Sequence, residues 1–306
     1  MKELKRLAPQ ATQDPFVKAQ RGTLRSVTLS EEAFRILERE RPELIVEEGE
    51  AVLIGQPRWQ RIDVHYAFPE RDAFARQFPE LFGRLASAAG ESDAPLGFRL
   101  RLVDRPSLPY IEPVLIALAF ELSREWLEME LIELPDNRPS ADEIAPGFVL
   151  REVRAQDAGE IVQLEELAFP DPSMTVEAVQ DTLRSPALYR VLEELATGTL
   201  AGSLLAEPRT RSTGHIGAIA VHPHYQRRGL GEAMLRWVLA RFREQGLRRA
   251  TLTVNTDNGA AIALYRKLGF TTGQIGVDYR RPIAEEEVQQ VLDKHRGSVI
   301  KFGKWR

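Results

Sequence analysis

A strand–turn–helix segment in the C-terminal half has the residue types needed to bind a phosphate. An apolar run over 215–221 predicts a strand, and an amphipathic pattern over 230–242 predicts a helix. A helix N-terminus exposes unpaired N–H groups and the positive end of the helix dipole, so it favours an anionic phosphate. Between the two elements, Gly229 and Gly231 remove the side chains that would hold a diphosphate away from those N–H groups. The two arginines that precede Gly229 add positive charge at the rim.

The same two glycines also fit other structures. They could shape a turn and let the helix pack closely on the strand, with no ligand involved. A dinucleotide-binding fold is a second alternative, but its fingerprint needs a third glycine where this chain has Met234. It also needs a carboxylate at the end of the second strand, where Val254 and Asn255 stand. The dinucleotide alternative is therefore set aside.

Two motifs follow each other along residues 219–270. The first is Ile-Ala-Val-His-Pro at 219–223, continued by Tyr-Gln-Arg-Arg-Gly-Leu-Gly at 225–231. The second comprises Val254-Asn255, Asn258, Ala261, Leu264-Tyr265 and Leu268-Gly269-Phe270. In order and spacing both resemble the coenzyme-binding motifs of the GCN5-related N-acetyltransferase (GNAT) family. The segment 147–282 is identified as a member of that family on this resemblance.

The resemblance implies an acyl-CoA-dependent N-acetyltransferase with acetyl-CoA as the acyl-donor co-substrate. It implies that the strands at 215–221 and 250–254 separate, with the pantetheine arm of the coenzyme between them like an added strand. The residues that it assigns to the coenzyme are the backbone groups of Ile219 and Val221, the diphosphate-binding amides of Gln226, Arg227, Arg228, Gly229, Leu230, Gly231 and Glu232, and Asn258.

Tyr265 is the candidate general acid. The acceptor amine must be neutral when it attacks the thioester, and a proton donor near the sulfur eases departure of the thiolate. Tyr265 matches the family's usual acid, and an unperturbed tyrosine is protonated at neutral pH. Its alternative role is aromatic packing against the sheet.

His215 is the candidate general base. It stands eleven positions before Gln226, where histone acetyltransferases of the family carry a glutamate. Histidine takes up a proton near neutral pH with little tuning. The alternatives are a structural histidine, Glu207 as the base, a water chain, or no dedicated base.

Composition excludes several classes of protein and site. The chain has 306 residues and no cysteine, so disulfides, thiolate zinc sites and cysteine nucleophiles are excluded. With a formal net charge of −4, the chain lacks the positive electrostatic field of a nucleic-acid-binding protein. The longest apolar run, 114–120, is too short for a membrane span, and no signal peptide is evident, so a cytoplasmic protein without a membrane partner is expected. No metal is expected, because His222 and His224 have no further ligand nearby in sequence.

Strands and helices follow each other in a mixed order around the two motifs. Apolar periodicity predicts the order β-α-α-β-β-β-α-β-α-β over 148–279, which indicates an α/β fold with a mixed sheet. A proline-containing segment at 134–147 predicts an interdomain linker with the boundary near residue 140.

The N-terminal half repeats the second part of this order. Strands are predicted at 51–55, 61–67, 97–103 and 126–131, with helices at 71–88 and 111–120. Ala119-Phe120 then takes the place of Gly269-Phe270, which indicates a diverged internal repeat. The predicted turn at 68–73 has no glycine and carries carboxylates, so this copy should have lost its coenzyme site.

Two GNAT-like lobes in tandem are therefore expected, a layout similar to that of mycothiol synthase. The predicted divisions are a degenerate N-terminal lobe (1–139), a catalytic domain (140–283) and a C-terminal tail (284–306). The predicted activity is transfer of an acetyl group to a primary amine of a small molecule, by a monomer or homodimer. The alternatives are a protein acetyltransferase acting on an N-terminus or lysine, and a non-catalytic acyl-CoA-binding sensor.

Overall fold

A computed structural model describes residues 14–26, 29–58, 61–92, 97–103, 105–136, 143–169 and 174–282. Contacts divide the chain into two compact units. Of the described residues, the first unit holds those up to Trp126 together with 275–282, and the second holds 127–274. The predicted tail, 284–306, lies outside the described residues.

Helices and strands are interspersed along the whole described chain. The helices are α1 (Pro15–Arg21), α2 (Glu31–Glu40), α3 (Arg71–Ser92), α4 (Leu108–Ala117), α5 (Ala158–Ala168), α6 (Val176–Thr182), α7 (Leu230–Glu244) and α8 (Gly259–Lys267). The strands are β1 (Leu24–Ser26), β2 (Ile45–Glu48), β3 (Ala51–Arg58), β4 (Arg61–Phe68), β5 (Gly97–Leu102), β6 (Glu121–Leu131), β7 (Glu143–Ala145), β8 (Phe148–Glu152), β9 (Leu188–Glu194), β10 (Leu200–Pro208), β11 (Thr213–Val221), β12 (Arg249–Asn255) and β13 (Thr271–Pro282).

The first unit is built on a mixed sheet. β2, β3 and β4 are antiparallel neighbours, β4 pairs with β5 in parallel, and β5 pairs antiparallel with 277–282 of β13. Its core contains a group of aromatic side chains on β4 and α3, which pack edge to face or stacked: Tyr66, Phe68, Phe74, Phe78 and Phe82. The sequence analysis did not predict α1, β1, α2 or β2. The predicted helix at 111–120 starts earlier, at Leu108, and ends at Ala117.

Asp278 on β13 is a fully buried carboxylate of the first unit. Its oxygens accept hydrogen bonds from Arg101 Nε, Arg124 Nε and Trp126 Nε1, each at 2.9 Å. Burial alone would raise the pKa of Asp278, but Arg101, Arg124 and the nearby Arg99 hold it at about 2. A carboxylate with a lowered pKa contributes stability above its unfolded pKa, and that contribution is lost as the pH falls through the folded pKa.

The pH dependence of unfolding should reveal this carboxylate. We expect the free energy of unfolding to fall by about 2 kcal/mol between about pH 4 and pH 2 because of Asp278. Asp278→Asn should remove that dependence and cost about 3 kcal/mol at neutral pH, since it leaves the partly buried guanidinium groups of Arg101 and Arg124 without their carboxylate. Chemical denaturation at several pH values measures both. Glu125→Gln, at an exposed pair with Arg105, is the matched control and should change stability little. Equal effects of the two variants would contradict the prediction.

The second unit has the predicted alternation and a mixed sheet. Its strands lie in the order β12-β11-β10-β9-β8-β7, with β11 and β12 parallel and the other neighbours antiparallel. α5 packs on β10 and β11, and α7 contacts β7, β10 and β11. The buried face of α7 is wider than the predicted stripe, because Leu235, Leu239 and Ala240 are buried as well. The segment predicted as a linker is structured at both ends: Leu134 is buried, and 143–145 form β7.

The two units repeat one strand register. β4 and β5 pair over 61–64 and 97–100, and β11 and β12 pair over 213–216 and 249–252. Adding 152 to each position of the first parallel ladder gives the second. In both copies the ladder stops after four pairs, although the strands continue. The predicted internal repeat is confirmed at this level.

The C-terminal ends of α4 and α8 also have the same backbone geometry in the two units. Phe120 N donates to Leu115 O at 2.9 Å, and Phe270 N donates to Tyr265 O at 3.0 Å. Ala119 and Gly269, one residue earlier in each copy, both have a left-handed φ, of 60° and 92°. Leu115 of the first unit therefore stands where the second has Tyr265. The predicted correspondence of Ala119-Phe120 with Gly269-Phe270 is confirmed.

Candidate functional site

β11 and β12 separate in the middle of the second unit. Their pairing ends at Ile216 and Leu252, while β11 continues to Val221 and β12 to Asn255. No described strand pairs with residues 217–221 on the edge of β11 that faces β12. An unpaired strand edge presents N–H and C=O groups to any extended partner with amides of its own. Ile219 and Val221, which the sequence analysis assigned to the coenzyme arm, lie on this open edge and are half-buried.

A β-bulge marks the point of separation. Ala206 of β10 pairs with Ile216 and Leu205 pairs with Ala218, so Gly217 is the extra residue on β11. A bulge bends its strand and increases the local twist. The equivalent ladder between β3 and β4 has no register shift. The sequence analysis did not predict the bulge.

The turn between β11 and α7 has an unusual backbone. A single turn of 3₁₀ helix, Pro223–Tyr225, follows β11. The Gln226 side chain then donates from Nε2 to Val221 O at 3.1 Å, which ties the turn to the strand end. Arg227 and Gly229 have positive φ angles of 60° and 78°. A non-glycine residue in this region is uncommon and costly, and such residues concentrate at functional sites.

Six consecutive main-chain N–H groups, at 227–232, have no acceptor among the described residues. Gly229 is the N-cap of α7 and provides no side-chain cap, so the first-turn amides of the helix belong to this set. A Cβ on Gly229 would meet nothing within 4 Å, and one on Gly231 would lie 3.7 Å from Val221. The protein itself does not require small residues for space here, whereas a group bound to the amides would. We name the amides of 227–232 the amide cradle.

The two arginines of the turn are arranged differently. Both are exposed. Arg228 lies over the Tyr225 ring, 5.2 Å from its centroid, and donates to His224 O at 3.1 Å. Arg227 makes no hydrogen bond or ion pair with any described residue, so its guanidinium can move to an anion at the cradle.

Glu232 is the one acidic residue in the first turn of α7. Lys267 of α8 binds one of its oxygens at 2.6 Å, and Arg236 binds the other at 2.8 Å. These two hydrogen bonds lower the pKa of the Glu232 carboxyl. The pairing offsets a negative charge that would otherwise oppose a diphosphate at the cradle. The sequence analysis missed Lys267, because it lies 35 residues from Glu232 along the chain.

Replacing Lys267 should therefore weaken coenzyme binding through Glu232. We expect Lys267→Met to raise the dissociation constant for coenzyme A by about fivefold, since an exposed ion pair is worth up to about 1 kcal/mol. In the Lys267→Met/Glu232→Gln double variant, affinity should return towards the wild-type value. Titration calorimetry of the wild type, Lys267→Met, Glu232→Gln and the double variant measures the coupling. A double variant as weak as Lys267→Met alone would mean that Lys267 acts independently of Glu232.

Asn258 and Tyr265 belong to α8. Asn258 is the N-cap, and its Oδ1 accepts a hydrogen bond from Ala261 N at 3.1 Å. This cap explains the asparagine locally and leaves its amide NH₂ group without an acceptor among the described residues. Tyr265 is 7% exposed and packs against Phe270, and burial raises the pKa of its phenol to about 12. No described residue hydrogen-bonds its hydroxyl, which is protonated at neutral pH.

His215 lies in the last paired stretch before the strands separate. It is paired with Glu207 on β10 and Thr251 on β12. Its Nδ1 is 3.1 Å from Thr251 Oγ1, a contact that fixes the ring orientation. Glu207 is exposed at the end of β10. In the first unit, Asp63 and Arg99 form an ion pair at the positions equivalent to His215 and Thr251.

The described residues contain no group of three or more His, Cys, Asp or Glu side chains arranged to hold a metal ion. His222 and His224 stack on each other, and His222 Nδ1 accepts from His224 N at 3.2 Å. None of the described helices is both long and apolar enough to cross a membrane.

Proteins similar in sequence to this chain include acetyltransferases. The sequence model of the acetyltransferase (GNAT) family matches residues 158–270. Mycothiol acetyltransferase of Saccharomonospora viridis is 32% identical over an alignment of 231 positions, which covers 68% of this chain and 75% of that protein. The ribosomal protein bS18 alanine N-acetyltransferase of Escherichia coli is 44% identical over 61 residues, which are 20% of this chain and 41% of that enzyme.

Two solved structures share the fold. A GCN5-related N-acetyltransferase from Sphaerobacter thermophilus has a TM-score of 0.62 and 21% identity, over 82% of this chain and 85% of that one. A tandem GNAT protein from the clavulanic acid biosynthesis pathway has a TM-score of 0.53 and 18% identity, over 77% and 81%. At these identities the likeness concerns the fold, and it agrees with the tandem layout seen in the two units.

Proposed function

Because the chain belongs to the GNAT acetyltransferase family, we propose that it transfers an acetyl group from acetyl-CoA to a primary amine of a small molecule. The amide cradle is the observation that carries this proposal. It combines a helix N-terminus, a left-handed turn and six N–H donors that no described residue accepts from, which together favour a diphosphate. The open edge of β11 ends directly before this turn.

In the proposed complex, each part of the coenzyme meets groups of matching chemistry. The diphosphate lies on the amide cradle, which begins directly after Gln226 and comprises the amides of Arg227, Arg228, Gly229, Leu230, Gly231 and Glu232. The pantetheine amides pair with the free backbone groups of Ile219 and Val221, as an added strand would. The Asn258 amide NH₂ contacts the coenzyme from the start of α8. The catalytic domain is proposed to comprise residues 140–283.

Two side chains are proposed to move protons. The neutral amine attacks the thioester carbonyl, a carbon–nitrogen bond forms, and the carbon–sulfur bond breaks. Tyr265 donates its phenolic proton to the departing sulfur, a role that its raised pKa supports at neutral pH. His215, oriented by Thr251, removes the proton that the nitrogen loses.

The extent of the similarity favours a small-molecule acceptor. The match to mycothiol acetyltransferase covers 68% of this chain, more than the second unit makes up, so it includes part of the first. A protein acceptor is the second candidate, supported by the likeness to an enzyme named for alanine of ribosomal protein bS18. That likeness covers only 61 residues, 20% of this chain.

An acceptor screen tests the proposal. The full chain is incubated with acetyl-CoA and, separately, a panel of small-molecule amines, peptides with free N-termini and lysine peptides with blocked N-termini. Release of coenzyme thiol and mass spectrometry of the products are measured. We expect thiol release with at least one small-molecule amine. Release with peptides alone would favour the protein acceptor, and coenzyme binding without release under any condition would favour a non-catalytic sensor.

A further inference from the structure

The strand gap of the first unit is occupied by the chain itself. β3 pairs along one edge of β4, from Arg61 to Ala67. On the opposite edge β5 pairs only over 61–64. Beyond that point, β1 takes the same edge, with Leu24 opposite Phe68 and Ser26 opposite Tyr66. β1 therefore begins to pair where β5 stops.

The residues of β4 that pair with β1 are equivalent to the β11 residues assigned to the coenzyme arm. The β3–β4 and β10–β11 ladders are both antiparallel. Their residues can be matched one by one, starting from the parallel β4–β5 and β11–β12 pairs, whose positions already correspond. After the extra residue at Gly217 is allowed for, Tyr66 corresponds to Ile219 and Phe68 to Val221. The open edge in the second unit is thus the covered edge in the first.

The contacts of β1 reach both strands that border the gap. Ser26 Oγ donates a hydrogen bond to Arg101 O on β5, and the Ser26 main chain hydrogen-bonds the imidazole of His65 on β4. Leu24 is 1% exposed in the core of the unit. Just before β1, a Cβ on Gly22 would lie 2.8 Å from Ala67 Cβ, so the chain approaches β4 more closely than a larger residue allows. These contacts make β1 an integral part of the unit.

We infer that β1 is a built-in substitute for the acyl-donor arm, so that the first unit is closed to coenzyme and each chain binds one equivalent. The inference rests on the proposed coenzyme position in the second unit. The remaining coenzyme-binding features are also missing from the first unit. Only two residues separate β4 from α3, and Leu108 and Leu115 stand where the second unit has Asn258 and Tyr265.

Binding stoichiometry and amide exchange together test the inference. Coenzyme A is titrated calorimetrically into the full-length wild type and into Gly229→Glu, and amide hydrogen exchange is followed by mass spectrometry with and without coenzyme. We expect one equivalent for the wild type and none for Gly229→Glu. Exchange at 217–221 should slow on binding, whereas 24–26 and 66–68 should be protected from the start and unchanged.

Each alternative outcome is distinguishable. Two equivalents in the wild type, or one retained by Gly229→Glu with slower exchange at 66–68, would overturn the inference and leave the proposed function intact. No binding by the wild type would contradict the proposed function. In that case the amide exchange rates at 24–26 and 66–68 test the inference about β1. Rapid exchange would overturn the role of β1 as a strand bound to β4, and protection would support it.

Discussion

Gly229→Glu is expected to raise the dissociation constant for coenzyme A by about 100-fold or more. The new side chain would start at the N-cap of α7, where a Cβ meets no protein atom within 4 Å, so it would extend over the amide cradle. Its carboxylate would repel the diphosphate and take hydrogen-bond donors from it. The loss of two hydrogen bonds to a charged group costs about 3 to 6 kcal/mol, which corresponds to that change in affinity. Titration calorimetry measures it.

The other end of α7 provides a matched control. Gly246 also has a positive φ, of 81°, and open space around its Cα. Gly246→Glu therefore introduces the same charge and a similar backbone strain of about 1 kcal/mol, but at the helix C-terminus. It should lower the melting temperature as much as Gly229→Glu or slightly more, and should bind coenzyme A as the wild type does. Comparable affinities of the two variants would refute the assignment of the diphosphate to the cradle.

Local signals explain how much of the second unit could be predicted. The boundaries of β11, α7 and α8 follow from apolar periodicity and from glycines next to the helix ends, at Gly229 and Gly269. Each of these sequence signals lies within a few residues of the strand or helix boundary that it determines. The order of elements and the mixed sheet follow in the same way. The assignment of individual residues to coenzyme contacts and catalysis stays a prediction.

The features that were not predicted depend on distant parts of the chain. β1 is three residues long and has no periodicity of its own; it is a strand because β4 offers an open edge about forty positions later. Lys267 acts on the cradle through Glu232, a contact that no local pattern encodes. The bulge at Gly217 is visible only once the register of β10 and β11 is known. In each case tertiary context, rather than local propensity, determines the outcome.

Tyr265→Phe is expected to lower kcat by about 100-fold while leaving coenzyme affinity unchanged. The substitution removes only the hydroxyl, which no described residue hydrogen-bonds, so the packing against Phe270 is kept. Loss of a general acid typically costs a factor of about 10² to 10⁴. Steady-state kinetics with the acceptor found in the screen, together with calorimetry, separates turnover from binding. An unchanged kcat would leave Tyr265 a packing residue.

The control for Tyr265→Phe is Tyr279→Phe, which removes a hydroxyl that donates to Glu112 Oε1 at 2.6 Å in the first unit. It should lower stability by about 1 kcal/mol and leave kcat unchanged. The pH profile gives a second test of the acid. Because burial raises the pKa of Tyr265 to about 12, the phenol keeps its proton throughout the neutral and moderately alkaline range. The wild-type kcat should therefore rise as the base and the amine lose their protons and then stay level up to about pH 10. A fall in kcat above about pH 9 would mean that the group donating the proton has a much lower pKa, and Tyr265 would not be that group.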